Sequence, residues 1–160
     1  MKVALTIGAI GLIAGAGLLL TAWPMINVVE TGRTPEYPDL VPRTYRAAPS
    51  LVFDATLHAV DRLPRWTLVA HDERRGEIRA EATTRLLRFV DDVTIRVRPC
   101  GDATCVEARS ASRIGKGDFG QNARNIRRLF EELDRQLTQR SHEEARPERH
   151  GESDPTPRSR

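Results

Sequence analysis

Six Lys/Arg residues, three glycines and a helix-start signal fall within Arg109–Arg128 (RSASRIGKGDFGQNARNIRR), and the chain's chemistry concentrates there. Gly115, Gly117 and Gly120 permit backbone conformations closed to other residues, and exposed N–H groups of such loops cradle anions. Arg113 and Lys116 add full charges, and a following helix N-terminus adds a positive partial charge. Arg96 and Arg109 on the preceding strands, with Ser110, Ser112 and Asn122 as polar partners, complete a candidate site. Its ligand would be a phosphate, sulfate, carboxylate or anionic lipid headgroup. The competing reading is a tight turn whose polar side chains satisfy local backbone groups. The glycine spacing matches neither a P-loop nor a dinucleotide fingerprint. Asp118 also places a negative charge where an anion would sit.

No catalytic set assembles from the sequence. The folded region offers only His58, on a helix, and His71, beside Asp72 at a strand end. Asp91-Asp92 would need a converging partner to hold a metal, and neighbouring strand residues point to opposite faces. Ser110 and Ser112 lack a motif-placed base and a nucleophile elbow. Neither a metal nor a cofactor is expected, and an enzyme is the less favoured class.

These residues must be positioned by an α+β domain. Pro49-Ser50 opens a helix with Val52, Phe53, Thr56, Ala59, Val60 and Leu63 on one face, ended by Pro64. Four strands follow. Trp66–Ala70 is apolar-rich; Ile78/Ala80/Ala82, Val93/Ile95/Val97 and Val106/Ala108 each alternate with polar residues. Asp118 and Gln121 have the form of a capping box for a second helix, about 119–139. Its apolar stripe is Phe119, Ala123, Ile126, Phe130, Leu133 and Leu137; Arg127/Glu131 and Glu131/Arg135 are spaced for pairing on the far side. The expected fold is one antiparallel four-stranded sheet covered on one face by two helices (α-β-β-β-β-α), preceded by an N-terminal transmembrane helix. The uncovered face would carry a mixed-charge ladder of Glu81, Thr94, Arg96, Arg98, Glu107 and Arg109.

The two cysteines, Cys100 and Cys105, flank a short turn and face each other across a hairpin, within reach of a disulfide. A loop so short adds on the order of 1–2 kcal/mol. Export would let such a bond persist. No charged residue occurs from Val3 to Val29, and a helix over 3–26 would be about 36 Å long, enough to cross a bilayer. The competitor is a signal peptide cleaved after Ala14-Gly15-Ala16. Lys2 before the span and acidic residues after it place the N-terminus inside. The domain organisation expected is a membrane anchor (1–28), a proline-containing linker or strap (29–49), the α+β domain (50–140) and a disordered tail (141–160). The location follows as the inner membrane, single-pass, with a periplasmic or extracellular domain. Nucleic acid is not an expected partner, since no stacking aromatics interleave the basic residues of this chain of net charge +3.

The pattern R-S-x-S-R-x-G-x-x-D-x-G-x-N-x-R-x-I-R at Arg109–Arg127 resembles domain-of-unknown-function family 1499. So do F-x-D-D-V-x-I-R-V at Phe89–Val97 and W-P-x-x-N at Trp23–Asn27. The resemblance spans about Trp23–Leu137 and implies no settled activity. Two functions are therefore expected in parallel. One is a membrane-tethered binding module recognising an anionic small molecule or lipid headgroup. The other is a structural accessory that docks on a membrane-protein partner.

Overall fold

The computed structural model describes residues 26–144 apart from Lys116 and Asp118. Among the described residues, eight elements run in the order β1 (Val28–Glu30), β2 (Arg43–Tyr45), α1 (Pro49–Arg62), β3 (Trp66–Asp72), β4 (Glu77–Thr83), β5 (Val90–Cys100), β6 (Ala103–Ser112) and α2 (Gln121–Glu144). The sheet is antiparallel with order β1-β6-β5-β4-β3, and β2 joins the same edge of β6 as β1. Both helices cover one face, whose strands contribute Ile78, Ala80, Val93, Ile95, Val106 and Ala108 to the core.

The sheet thus has six strands, not the four expected. The two extra strands come from the segment expected as linker or strap. Val28–Glu30 pairs with Arg109–Ala111, and Arg43–Tyr45 pairs with Thr104–Val106. Between them Thr31 continues the pairing: its N–H donates to the Ala108 carbonyl at 3.0 Å, and its hydroxyl accepts from the Ala108 N–H at 3.1 Å. These strands satisfy the backbone groups along an edge of β6, a requirement indifferent to side-chain type. Three residues are too few to show a period-two pattern, so their sequences carry no strand signal. The strap also fills the core with Val29 and Leu40, both buried.

Side chains pin the strap to α2. Tyr45 donates its hydroxyl to Asp134 at 2.7 Å, and Arg43 donates to the same carboxylate at 3.2 Å while lying over the Phe130 ring. Arg127 forks onto Asp39 at 2.9 and 3.0 Å and covers Tyr37. Burial, and then the bond to the Asp134 carboxylate and its charge, push the Tyr45 hydroxyl well above its ordinary pKa, with Arg43 opposing. The folded state therefore holds this proton more tightly than the unfolded chain. The resulting stability is fully present below about pH 10 and is lost as pH rises beyond it. Urea midpoints measured from about pH 9 to 11 should fall, and Tyr45→Phe should flatten that slope. An unchanged slope in Tyr45→Phe would show that other groups control it.

Both helices form where expected, with corrections at their ends. Pro49 takes the first turn of α1, where its missing N–H costs nothing, after an extended Ala48 that makes no side-chain cap. In α2, Ala123, Ile126, Leu129, Phe130 and Leu133 are buried. Phe119, expected to lead this stripe, instead sits before the helix at φ 50° and is exposed. Gln121 is the first helical residue, and its amide donates forward to Asn125 at 2.8 Å rather than back toward a cap. The expected N-cap, Asp118, lies outside the described residues. On the outer side the expected Arg127/Glu131 and Glu131/Arg135 pairs give way to Arg127–Asp39 and Arg135–Glu132, with Glu132 buried. The helix also continues to Glu144, so the first four residues assigned to a disordered tail are helical; residues 145–160 lie outside the described residues.

The expected transmembrane helix is absent from the described fold. The segment 3–26 lies outside the described residues except for Ile26, and none of the helices described is long and apolar enough to cross a membrane.

Candidate functional site

The Asp91-Asp92 pair divides as strand geometry requires. Asp91 faces the helices and is 1% exposed, while Asp92 faces outward. Asp91 stands first in the inward series Asp91, Val93, Ile95, Val97, and it pairs across the sheet with Ser112. Ser110 and Ser112 likewise extend the inward series begun by Val106 and Ala108. Five polar side chains meet there because α2 brings Asn122 and Asn125 down on the same spot, both fully buried.

Every donor in this cluster finds an acceptor. The Ser112 hydroxyl donates to Asp91 at 2.7 Å, and the Ser110 hydroxyl donates to the Asn122 side-chain carbonyl at 2.6 Å. The Asn125 amide donates to the second Asp91 oxygen at 2.8 Å and to Ser110 at 3.2 Å. The Asn122 amide donates to the Asn27 backbone carbonyl and to Ser112, each at 3.0 Å. That Asn27 carbonyl also accepts the Ser112 N–H at 2.9 Å, and the Asn27 side-chain amide reaches the Gly115 carbonyl at 3.3 Å. The three sequence segments carrying the resemblance therefore close on one another here. Among the described residues, every buried side-chain nitrogen and oxygen has a hydrogen-bond partner. A network satisfied in this way locks the start of α2, β5, β6 and the chain before β1 together.

The expected anion site is not assembled as one cluster. Ser110, Ser112 and Asn122 lie on the helix side of the sheet, whereas Arg96, Arg109 and Arg113 lie on the open side. Arg113 forks onto Asp92 at 2.6–3.1 Å and also reaches Glu81. The bonds to Asp92, then those to Glu81, hold its guanidinium even more firmly in the charged form. Arg96 pairs with Glu77 at 3.8 Å, and Arg98 pairs with Glu107. Arg109 is exposed beside Thr94 and Glu30, its neighbours on the two flanking strands. Together Arg96, Arg109, Glu30 and Glu107 line a shallow cavity of about 250 Å³ in which two cations face two carboxylates. The open face is thus a balanced ladder of charges. Gly115 has φ 94°, as the expected loop requires; Gly117 is half-buried, and Lys116 lies outside the described residues.

Cys100 and Cys105 form the expected disulfide across the β5–β6 turn, with Cα atoms 5.8 Å apart. His58 and His71 are both exposed; among the described residues, no group of three or more His, Cys, Asp and Glu is placed to hold a metal ion. Sequence reasoning missed Asn27, Asp91 and Asn125. The available signal was a polar residue on an apolar register: Asp91 ahead of Val93, and Asn122 and Asn125 ahead of Ile126 and Leu129 on one helix face.

The family model described as "Protein of unknown function (DUF1499)" matches residues 19–133. No curated protein matches. Among solved structures, TTHA0849 from Thermus thermophilus is similar at 13% identity and a TM-score of 0.40, covering 71% of this chain and 99% of that one. Protein CV1439 from Chromobacterium violaceum is similar at 14% identity and a TM-score of 0.35, covering 71% of this chain and 95% of that one. Neither likeness is close enough to carry a functional argument.

Proposed function

Because this chain belongs to the DUF1499 family, whose description assigns no activity, we propose a function from geometry: a non-catalytic interaction module. In it the buried polar residues build the scaffold, and the open sheet face and its loops make the contacts. The observation carrying this reading is the internal saturation of the Asp91–Ser112–Asn122–Asn125 cluster. A side chain whose bonds are all used within the fold has none to offer a ligand or a reacting atom without breaking the fold. The disulfide supports placing the module in an oxidising compartment such as the periplasm.

The test separates scaffold from site. Ser112→Ala and Asn122→Ala should each lower unfolding free energy by about 1–3 kcal/mol in urea titrations, since each leaves buried partners unpaired. Titrating the protein with inorganic phosphate or acetate should leave the amide resonances of Arg109–Gly115 in place. A saturable shift of those resonances, in a protein whose Ser112→Ala variant melts normally, would overturn the scaffold reading.

A further inference from the structure

One end of the sheet combines positive charge and exposed apolar surface in a way the other end does not. The antiparallel order brings four chain segments there. The β4–β5 loop (84–89) joins Thr83 to Val90, which are register partners. The β6–α2 loop begins at Ser112, opposite Asp91. Arg65 precedes β3, and its carbonyl accepts the Thr83 N–H at 2.9 Å. Asn27 leads into β1 beside Ser112, so it too lies at this end.

The β4–β5 loop reads Arg85-Leu86-Leu87-Arg88-Phe89 and is closed by Thr84 and Phe89. The Thr84 N–H donates to the Phe89 carbonyl and the Phe89 N–H to the Thr84 hydroxyl, each at 2.8 Å. Its tip is apolar and fully presented: Leu86 is 89% and Leu87 64% exposed. Ile114 and Phe119 on the neighbouring loop are also mostly exposed. Beside the tip, Arg65, Arg85 and Arg88 line a cavity of about 300 Å³ with Thr67, Thr83 and Thr84. No carboxylate lines it, in contrast to the balanced cavity around Arg109. Arg65 and Arg88 both hold positive φ, 65° and 54°, a conformation uncommon outside glycine and associated with functional positions.

Exposed leucines flanked by arginines suit an interface where apolar groups enter acyl chains and guanidinium groups meet phosphates. The cavity's three arginines are opposed by no lining carboxylate, so its complementary occupant is an anion presented at an apolar surface. We propose that the Arg65/Arg85/Arg88 cavity and the Leu86-Leu87 tip form a docking site for the surface of an anionic phospholipid bilayer, one phosphate-bearing headgroup occupying the cavity. This rests on the reading of the chain as an interaction module and names its partner.

Hydrogen–deuterium exchange of the full chain on nanodiscs tests it, comparing phosphatidylcholine discs with discs that also contain phosphatidylglycerol. Amides of 84–89 and 113–115 should slow on the anionic discs, while the far-end turns 72–76 and 100–103 keep their rates. Arg85→Glu with Arg88→Glu should abolish the slowing, and each single arginine-to-alanine change should weaken the anionic preference about five-fold. Leu86→Asp with Leu87→Asp should abolish it too, with exchange in β5 and β6 unchanged as the control for folding. Equal exchange on both discs would overturn the proposal. So would slowing reproduced by inorganic phosphate on neutral discs, which identifies a free-anion site, or slowing that grows with protein concentration, which identifies a second copy. If bilayer docking fails while Ser112→Ala still destabilises the fold and the motif resonances stay still, only the partner is wrong.

Discussion

Asp91→Ala should lower the unfolding free energy by about 3–5 kcal/mol, the largest effect expected from any polar substitution in this chain. The carboxylate is fully buried and accepts one bond from Ser112 and one from Asn125. Removing it strands both donors in a space closed by α2, and each stranded group costs about 1–3 kcal/mol. In a domain of this size that is a fall in Tm of roughly 10–25 °C. Asp91→Asn should be milder, since its carbonyl oxygen still accepts one of the two bonds. The neighbouring Asp92→Ala acts only on exposed ion pairs and should move Tm little. Thermal melts of the three variants decide the matter. Equal losses for Asp91→Ala and Asp92→Ala would mean that the inner network does not hold the domain together.

Gly76→Ala should cost at least about 3 kcal/mol, for a reason that backbone dihedrals alone do not supply. Gly76 sits at φ 63°, and a Cβ there would stand 2.0 Å from the carbonyl oxygen of Val97. That contact involves backbone on both sides, and the Val97 N–H donates to the Gly76 carbonyl at 2.8 Å, so neither partner can withdraw without breaking the β4–β5 pairing. Gly101 is the control. Its φ of 67° is nearly the same, yet a Cβ there meets nothing within 4 Å. Gly101→Ala should therefore pay only the conformational term, about 1–2 kcal/mol. Urea titrations of both variants give the comparison, and similar losses would show that steric contact at Gly76 is relieved elsewhere.

Much of the domain was legible in order along the chain. The inward series Ile78/Ala80/Ala82 and Val93/Ile95/Val97 gave strands and faces correctly, because alternation is a local consequence of the pleat. Pro49 and Pro64 bracketed the first helix, and six intervening positions defined its buried side apart from Ala55. The turn between Cys100 and Cys105 was short enough to imply their bond, which the structure contains. The candidate site was less legible. Spacing put Arg109, Ser110, Ser112 and Arg113 together in one stretch, yet the same pleat that orders the core sends the serines inward and Arg109 outward.

By itself, then, the sequence determined the local periodicities, the helix boundaries to within a few residues, the cysteine pairing and the resemblance to its family. These depend on neighbours within one or two turns of chain. Only the tertiary structure decided the rest. Val28–Glu30 and Arg43–Tyr45 become strands because β6 offers unpaired backbone, not because their side chains ask for it. Asn122 and Asn125 are buried because Asp91, 31 and 34 positions away, supplies with Ser110 and Ser112 the partners that make burial tolerable. Arg65 and the Arg85–Phe89 loop share an end with Asn27 because antiparallel pairing returns each strand to it. Hydrogen bonding between distant segments is satisfied only in the assembled fold, so its requirements leave no periodic trace in the sequence that meets them.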